Sequence, residues 1–153
     1  MYRRSLSDFL LEEGSKYPII TIVGPRQSGK TTLARTLFPD FTYHSFEDPD
    51  LRQTVVQDPR GFFARGASEK ADQSLILDEI QKAPEVLSYL QTLVDQPNNK
   101  RRFILTGSHN FLLMEKVSQT LAGRTLLTTL LPLSYEELPS PKTDLDLLMF
   151  LFL

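Results

Sequence analysis

Short apolar runs separated by longer mixed stretches form the main pattern along the chain. Four runs lack the polar alternation of half-exposed strands and therefore predict buried strands, at residues 19–23, 75–77, 103–105 and 126–131. A weaker fifth candidate, residues 41–46, does alternate. Helical periodicity lies between these runs, at residues 30–37, 50–57, 84–94 and 110–121. Strands that alternate with helices predict βαβ units, hence an α/β fold with a mostly parallel sheet.

Composition and charge narrow the possible functions of such a domain. The 153 residues fit one domain, and a net charge of −2 gives no general electrostatic reason for nucleic-acid binding. We expect the run Lys100-Arg101-Arg102 to be a solvated turn rather than a nucleic-acid patch. The chain has no cysteine, which excludes disulfides and thiolate metal sites. No apolar run approaches the roughly 18–20 residues that cross a bilayer, so we expect no membrane span and a cytoplasmic protein.

A glycine-bounded polar turn directly follows the first predicted strand. It fits the phosphate-binding pattern G-x-x-x-x-G-K-[ST] (Walker A) at every fixed position. Glycines let backbone N–H groups wrap closely around phosphate, and the following helix points its positive end at the same place. Lys30 adds a charge for the outer phosphates, and the Thr31 hydroxyl suits Mg²⁺. The predicted nucleotide-binding residues are Gly24, Pro25, Arg26, Gln27, Ser28, Gly29, Lys30, Thr31 and Thr32.

Two carboxylates end the predicted strand at residues 75–77. Ligands of parallel sheets bind at the carboxyl ends of the strands, so we expect Asp78 beside the phosphate loop. Asp78 would hold Mg²⁺ together with Thr31, mainly through water. Glu79, one residue further, would orient and polarise an attacking water. An ordinary N-cap or solvated strand end is the alternative for an isolated acidic pair.

Two further positions are candidates for contact with the terminal phosphate. The strand at residues 103–105 runs into small polar residues, of which Ser108 is the first choice as phosphate sensor and Thr106 the second. A helix-capping role is the alternative for Ser108. Arg124 precedes the last strand and can reach the phosphate of a neighbouring subunit in a homo-oligomer. A surface arginine in a turn is the alternative there.

Taken in order, these motifs carry a family resemblance over about residues 1–138. The segments GPRQSGKTTL, LILDEIQKAPEVL, FILTGSHNFLLMEKVSQTLAGR and LLPLSYEEL resemble the N-terminal ATPase domain of a large prokaryotic AAA-type (AAA+) P-loop ATPase family. The resemblance implies a three-layer αβα fold, with a five-stranded sheet of order 5-1-4-3-2 and Mg·ATP as ligand. It also implies catalytic roles for Glu79, Ser108 and Arg124, and metal binding by Thr31 and Asp78.

The end of the sequence departs from this family. AAA-type ATPases usually continue into a helical lid, whereas residues 147–153 are seven consecutive apolar residues. We expect residues 139–153 to be the truncated start of a lid or C-terminal region, and expect a missing domain or protein partner. Three functions follow as hypotheses: an ATPase, a nucleotide-binding interaction module with little turnover, and a small-molecule kinase. The adjacent Asp-Glu pair favours water over a kinase substrate as phosphate acceptor.

Overall fold

One parallel sheet with helices on both faces forms the domain. The structure, a computed structural model, describes residues 4–65, 73–108 and 110–137. The strands are β1 (Ile19–Gly24), β2 (Thr42–Ser45), β3 (Leu75–Asp78), β4 (Phe103–Ser108) and β5 (Thr125–Thr129). The helices are α1 (Leu6–Glu12), α2 (Lys30–Leu37), α3 (Pro49–Gln57), α4 (Pro59–Arg65), α5 (Val86–Val94) and α6 (Phe111–Thr120). Short 3₁₀ turns cover Gly14–Lys16, Ile80–Lys82 and Tyr135–Glu137.

The strand order is β2-β3-β4-β1-β5, and every pairing is parallel. This confirms the predicted order 5-1-4-3-2, which is the same strand order written in the opposite direction. Because the strands are parallel, their carboxyl ends lie along one edge of the sheet, with Gly24 opposite Ser108 and Ser45 opposite Asp78. The phosphate loop and the acidic pair are thereby brought to the same edge.

Apolar residues cover both faces of the sheet, which explains the unbroken apolar runs of the central strands. Ile20 and Ile22 of β1 lie in the apolar cluster that includes residues of α1 and α2. Ile19 and Val23 of the same strand lie in the opposite cluster, which includes residues of α3, α4, α5 and α6. The three-layer αβα arrangement is therefore confirmed.

Most element boundaries agree with the sequence pattern, and the differences have local causes. The last strand is Thr125–Thr129 rather than 126–131, and Leu131 is 64% exposed beyond its end. Two helices, α1 and α4, were not predicted; each has seven residues, too few for a clear helical period. The predicted region 139–153 lies outside the described residues.

The expectation of a solvated turn at residues 100–102 is wrong for two of its three residues. Arg101 is buried beside the rings of Phe63 and Phe103, and its guanidinium donates to the backbone oxygens of Gln73 and Phe63. Arg102 is half-buried and donates to the carbonyl of Gly14 at 2.6 Å. These arginines satisfy backbone carbonyls, so they do not form a basic surface patch. Among the described residues, no helix has the length and apolarity that a bilayer span requires.

Candidate functional site

The loop between β1 and α2 has the backbone geometry that a phosphate cradle needs. Gly29 adopts a φ of 88°, a conformation that residues with a Cβ rarely tolerate. At Gly24, an added Cβ would lie 2.1 Å from the backbone oxygen of Leu130, so only glycine fits against the chain that leaves β5. The hydroxyl of Ser28 is buried, and no hydrogen-bond partner for it lies among the described residues. A loop with this conformation can present backbone N–H groups to a phosphate at the start of α2.

Lys30 lies folded back over this loop. Its ammonium group donates to the carbonyl oxygens of Gly24 at 3.1 Å and Pro25 at 2.7 Å. Burial lowers the pKa of Lys30, and the carboxylates of Glu79 and Asp78 act in the opposite direction. A buried cation whose hydrogen-bond partners among the described residues are neutral carbonyls is well placed to exchange them for phosphate oxygens.

Asp78 is held at the end of β3 by hydroxyl groups from three other elements. The Thr31 hydroxyl lies 3.0 Å from each carboxylate oxygen, and the Tyr43 hydroxyl donates to Oδ2 at 2.8 Å. Thr106 donates to Oδ1. Burial raises the pKa of Tyr43, and its hydrogen bond to Asp78 acts in the same direction. The paired oxygens of Thr31 and Asp78 fit the oxygen-only preference of Mg²⁺, so these residues can hold that ion.

Glu79 lies on the wall of a cavity of about 430 Å³ directly above the loop. Its backbone is left-handed, with a φ of 57°, which is unusual for a residue with a side chain. The Gln81 side-chain amide donates to the Glu79 carboxylate. The other lining residues are Arg26, Gln27, Gly29, Lys30, Thr31 and Thr32. A carboxylate therefore faces the same space as the phosphate loop.

Ser108 ends β4 and shares a hydrogen-bond partner, Gln81, with Glu79. Its backbone N–H donates to the Gln81 side-chain oxygen at 3.2 Å, and its hydroxyl is 3.4 Å from the Gln81 nitrogen. Thr106, the second choice as phosphate sensor, instead contacts Asp78. Gln81 thus connects Glu79 to the end of β4. The sequence signal for Gln81 is its position two residues after Glu79, inside the segment LILDEIQKAPEVL that carries the family resemblance.

Arg4 adjoins the loop, although no motif in the sequence singled it out. It lines a second cavity, of about 210 Å³, beside the start of α2. The other lining residues are Gln27, Ser28, Gly29, Thr32, Leu33 and Leu133. Three of its lining residues, Gln27, Gly29 and Thr32, also line the first cavity.

Arg124 lies at the other end of the sheet. It precedes β5, and its carbonyl accepts from the N–H of Ile19 at the beginning of β1. Its guanidinium forms a two-pronged ion pair with Asp95, both N–O distances being 2.7 Å, and this contact lowers the pKa of Asp95. Within one chain, therefore, Arg124 is not brought to the phosphate loop.

Comparisons with known proteins agree with this geometry. A family model described as AAA domain matches residues 16–139. An uncharacterized protein of Mycobacterium tuberculosis is 32% identical over 145 residues, which cover 93% of this chain and 31% of that protein. The chain thus spans about a third of the length of this curated relative.

Two solved structures share the fold. The P-loop NTPase domain of a sigma-54 transport activator from E. coli has a TM-score of 0.54 at 18% identity, over 83% of this chain and 93% of that one. The Walker-type ATPase PABY2304 of Pyrococcus abyssi has a TM-score of 0.59 at 18% identity, over 90% of this chain and 55% of that one. The family model, the fold and the loop geometry agree: this chain has the P-loop NTPase fold and belongs to the AAA domain family.

Proposed function

We propose that this domain binds Mg·ATP and hydrolyses it. The observation that carries the proposal is the single cavity onto which the phosphate loop, Lys30, Thr31 and Glu79 all open. The second cavity, beside Arg4 and Leu133, supports the proposal because it leaves room for the rest of the nucleotide.

Each residue has one task in the proposed reaction. The loop N–H groups and Lys30 bind the outer phosphates, while Thr31 and Asp78 hold the metal. Bound Mg²⁺ supplies charge neutralisation on the phosphate oxygens. Glu79 orients a water whose oxygen attacks the terminal phosphorus as the bond to the bridging oxygen breaks; the proton of the water passes to the carboxylate or to solvent. Ser108, at the end of β4, contacts the terminal phosphate.

The test separates binding from turnover. We expect Glu79→Gln to bind Mg·ATP with affinity close to that of the wild type, because the loop is unchanged. Its phosphate release should fall by at least about a hundredfold, the contribution of a positioned base. Lys30→Ala, the matched control, should lose both binding and turnover. Normal turnover by Glu79→Gln would show that Glu79 does not act in the reaction.

A nucleotide-dependent interaction module with little turnover is the second candidate. The observation that favours it is the hydrogen bond from Gln81 to Glu79, which occupies one of the two carboxylate oxygens that could orient a water. This candidate predicts ATP binding without phosphate release above the Lys30→Ala background. Because relatives are about three times longer, a further domain or protein partner belongs to either proposal. A cytoplasmic location is the accompanying proposal for a chain without cysteine.

For Arg124 we propose a role in trans, in a homo-oligomer. Its support is its position far from the loop of its own chain, on a partly exposed surface. A cationic side chain supplied by a neighbouring subunit can stabilise charge on the transferring phosphate. Mixing Arg124→Ala, which has an intact loop, with Lys30→Ala, which has an intact arginine, should restore turnover that neither variant has alone. No recovery in a mixture that forms oligomers would contradict this role.

A further inference from the structure

A buried ion pair lies directly behind the phosphate loop. The Nε of Arg4 is 3.1 Å from Oε2 of Glu137, and the two side chains are only 7% and 8% exposed. Burying two charges costs free energy that their attraction does not always recover. The pair is therefore better explained by the backbone segments that it holds in place, which its other hydrogen bonds identify.

The pair joins three segments that are far apart in the sequence. Arg4 donates through Nη1 to the Ser28 carbonyl of the phosphate loop at 2.7 Å, and through Nη2 to the Leu131 carbonyl. The Glu137 carboxylate accepts from the backbone N–H of Ser5 at 2.7 Å and of Ser134 at 3.0 Å. One guanidinium and one carboxylate thus connect the start of the chain, the phosphate loop and residues 131–137.

The contact at Ser28 has a specific consequence for a phosphate-binding loop. The carbonyl of Ser28 and the N–H of Gly29 belong to the same planar trans peptide, so they point in opposite directions. The Ser28 carbonyl accepts from the Arg4 guanidinium, so the Gly29 N–H points away from Arg4. When that N–H donates to a phosphate oxygen, the peptide is polarised and its carbonyl becomes a stronger acceptor for Arg4.

We propose that Arg4 is a positioning residue that couples nucleotide binding at the phosphate loop to the anchoring of residues 131–137. The proposal rests on the proposed nucleotide-binding function. Bound nucleotide strengthens the Ser28–Arg4 contact and, through Arg4, the hold of Glu137 on Ser5 and Ser134. By linkage the effect is reciprocal, so anything that draws residues 131–137 away from Arg4 weakens nucleotide binding.

The experiment compares amide hydrogen exchange at Ser5 and Ser134 with and without saturating Mg·ATP, in the 153-residue chain. In the wild type, Mg·ATP should slow exchange at both amides. Arg4→Lys keeps the charge but loses the planar fork. It should weaken Mg·ATP binding about fivefold or more and should abolish the slowing at saturation. Arg102→Lys is the matched control: it also alters an arginine bound to a backbone carbonyl, at the other edge of the sheet, and should leave both readouts unchanged.

The outcomes are distinguishable. If the wild type binds Mg·ATP while Ser5 and Ser134 exchange at an unchanged rate, the coupling is wrong and the nucleotide site stands. If Mg·ATP still slows amide exchange at Ser5 and Ser134 in Arg4→Lys, the coupling through Arg4 is also wrong. No binding by the wild type overturns the proposed function, and the coupling with it. Should Arg4→Lys not fold, Glu137→Gln keeps the Arg4–Ser28 contact and an oxygen acceptor, and it should show reduced slowing at both amides; full slowing there contradicts the coupling.

Discussion

At the scale of single residues, the backbone conformation of Gly29 decides whether the loop can be built. An added Cβ at Gly29 would meet an atom no nearer than 3.5 Å, so space is not the constraint. The constraint is the φ of 88°, which costs a residue with a Cβ about 1–2 kcal/mol. Gly123 adopts a similar conformation far from the loop, with a φ of 73° and no atom within 4 Å of an added Cβ.

These two glycines allow a matched prediction. Gly29→Ala and Gly123→Ala should each lower the free energy of unfolding by about 1–2 kcal/mol. Only Gly29→Ala should weaken Mg·ATP binding, by about tenfold or more, because relaxation of the loop misdirects an N–H donor. Denaturant unfolding and calorimetric titration measure the two effects. Equal affinities in the two variants would contradict the role of the loop.

Some residues of the site could be predicted from local sequence patterns, whereas others reach the site through contacts with residues far away in the sequence. Lys30, Thr31, Asp78 and Glu79 could be predicted because a local pattern and a strand end identify each of them. Arg4, Tyr43 and Gln81 could not. Arg4 meets Ser28, and Tyr43 meets Asp78, only after the sheet has formed. Gln81 is near Glu79 in sequence, but its contact with Ser108 also depends on the pairing of β3 with β4.

At the scale of elements, the apolar runs were sufficient to predict the strands and their parallel arrangement. A strand buried on both faces leaves an unbroken apolar run, as β1 and β3 do. Helices α1 and α4 were missed because each contributes few residues to the core, Leu10 and Phe63 respectively. Burial of Arg101 and Arg102, in the loop before β4, could not be predicted. A run of charged residues indicates exposure to solvent, and the backbone carbonyls that accept from these guanidinium groups are distant in sequence.

That loop gives a prediction about stability. Arg101→Met keeps an apolar stem but leaves the carbonyls of Gln73 and Phe63 without their donor. We expect a loss of about 2–4 kcal/mol in the free energy of unfolding, typical of a broken buried network. Lys100→Met, at the exposed neighbouring position, should change it by no more than about 0.5 kcal/mol. Urea unfolding measures both; a similar small effect in the two variants would mean that Arg101 is not structural.

At the scale of the whole molecule, Glu137 links stability to pH. Burial opposes its ionisation, but hydrogen bonds from Ser5, Ser134 and Arg4 outweigh burial and lower its pKa from 4.5 to about 2. Because the folded pKa is depressed, the stabilisation is complete above about pH 4.5 and is lost as the pH falls toward 2.

Thermal unfolding across this range tests the link. The wild type should melt at a higher temperature than Glu137→Gln above pH 4.5, and the difference should shrink steadily as the pH approaches 2. The variant is the control for all other carboxylates, which both proteins share. A difference that stays constant over this range would show that the charge of Glu137 is not what stabilises the fold.

The central claim is that the phosphate loop of this domain binds Mg·ATP, and thermal unfolding with and without Mg·ATP tests it most directly. With ligand at about 100 times Kd, binding should stabilise the wild type by roughly 2.7 kcal/mol. For a chain of this size that is a rise in Tm of about 5–10 °C. Lys30→Ala should fold and show no rise. A folded wild type with no rise, or an equal rise in Lys30→Ala, would contradict the claim.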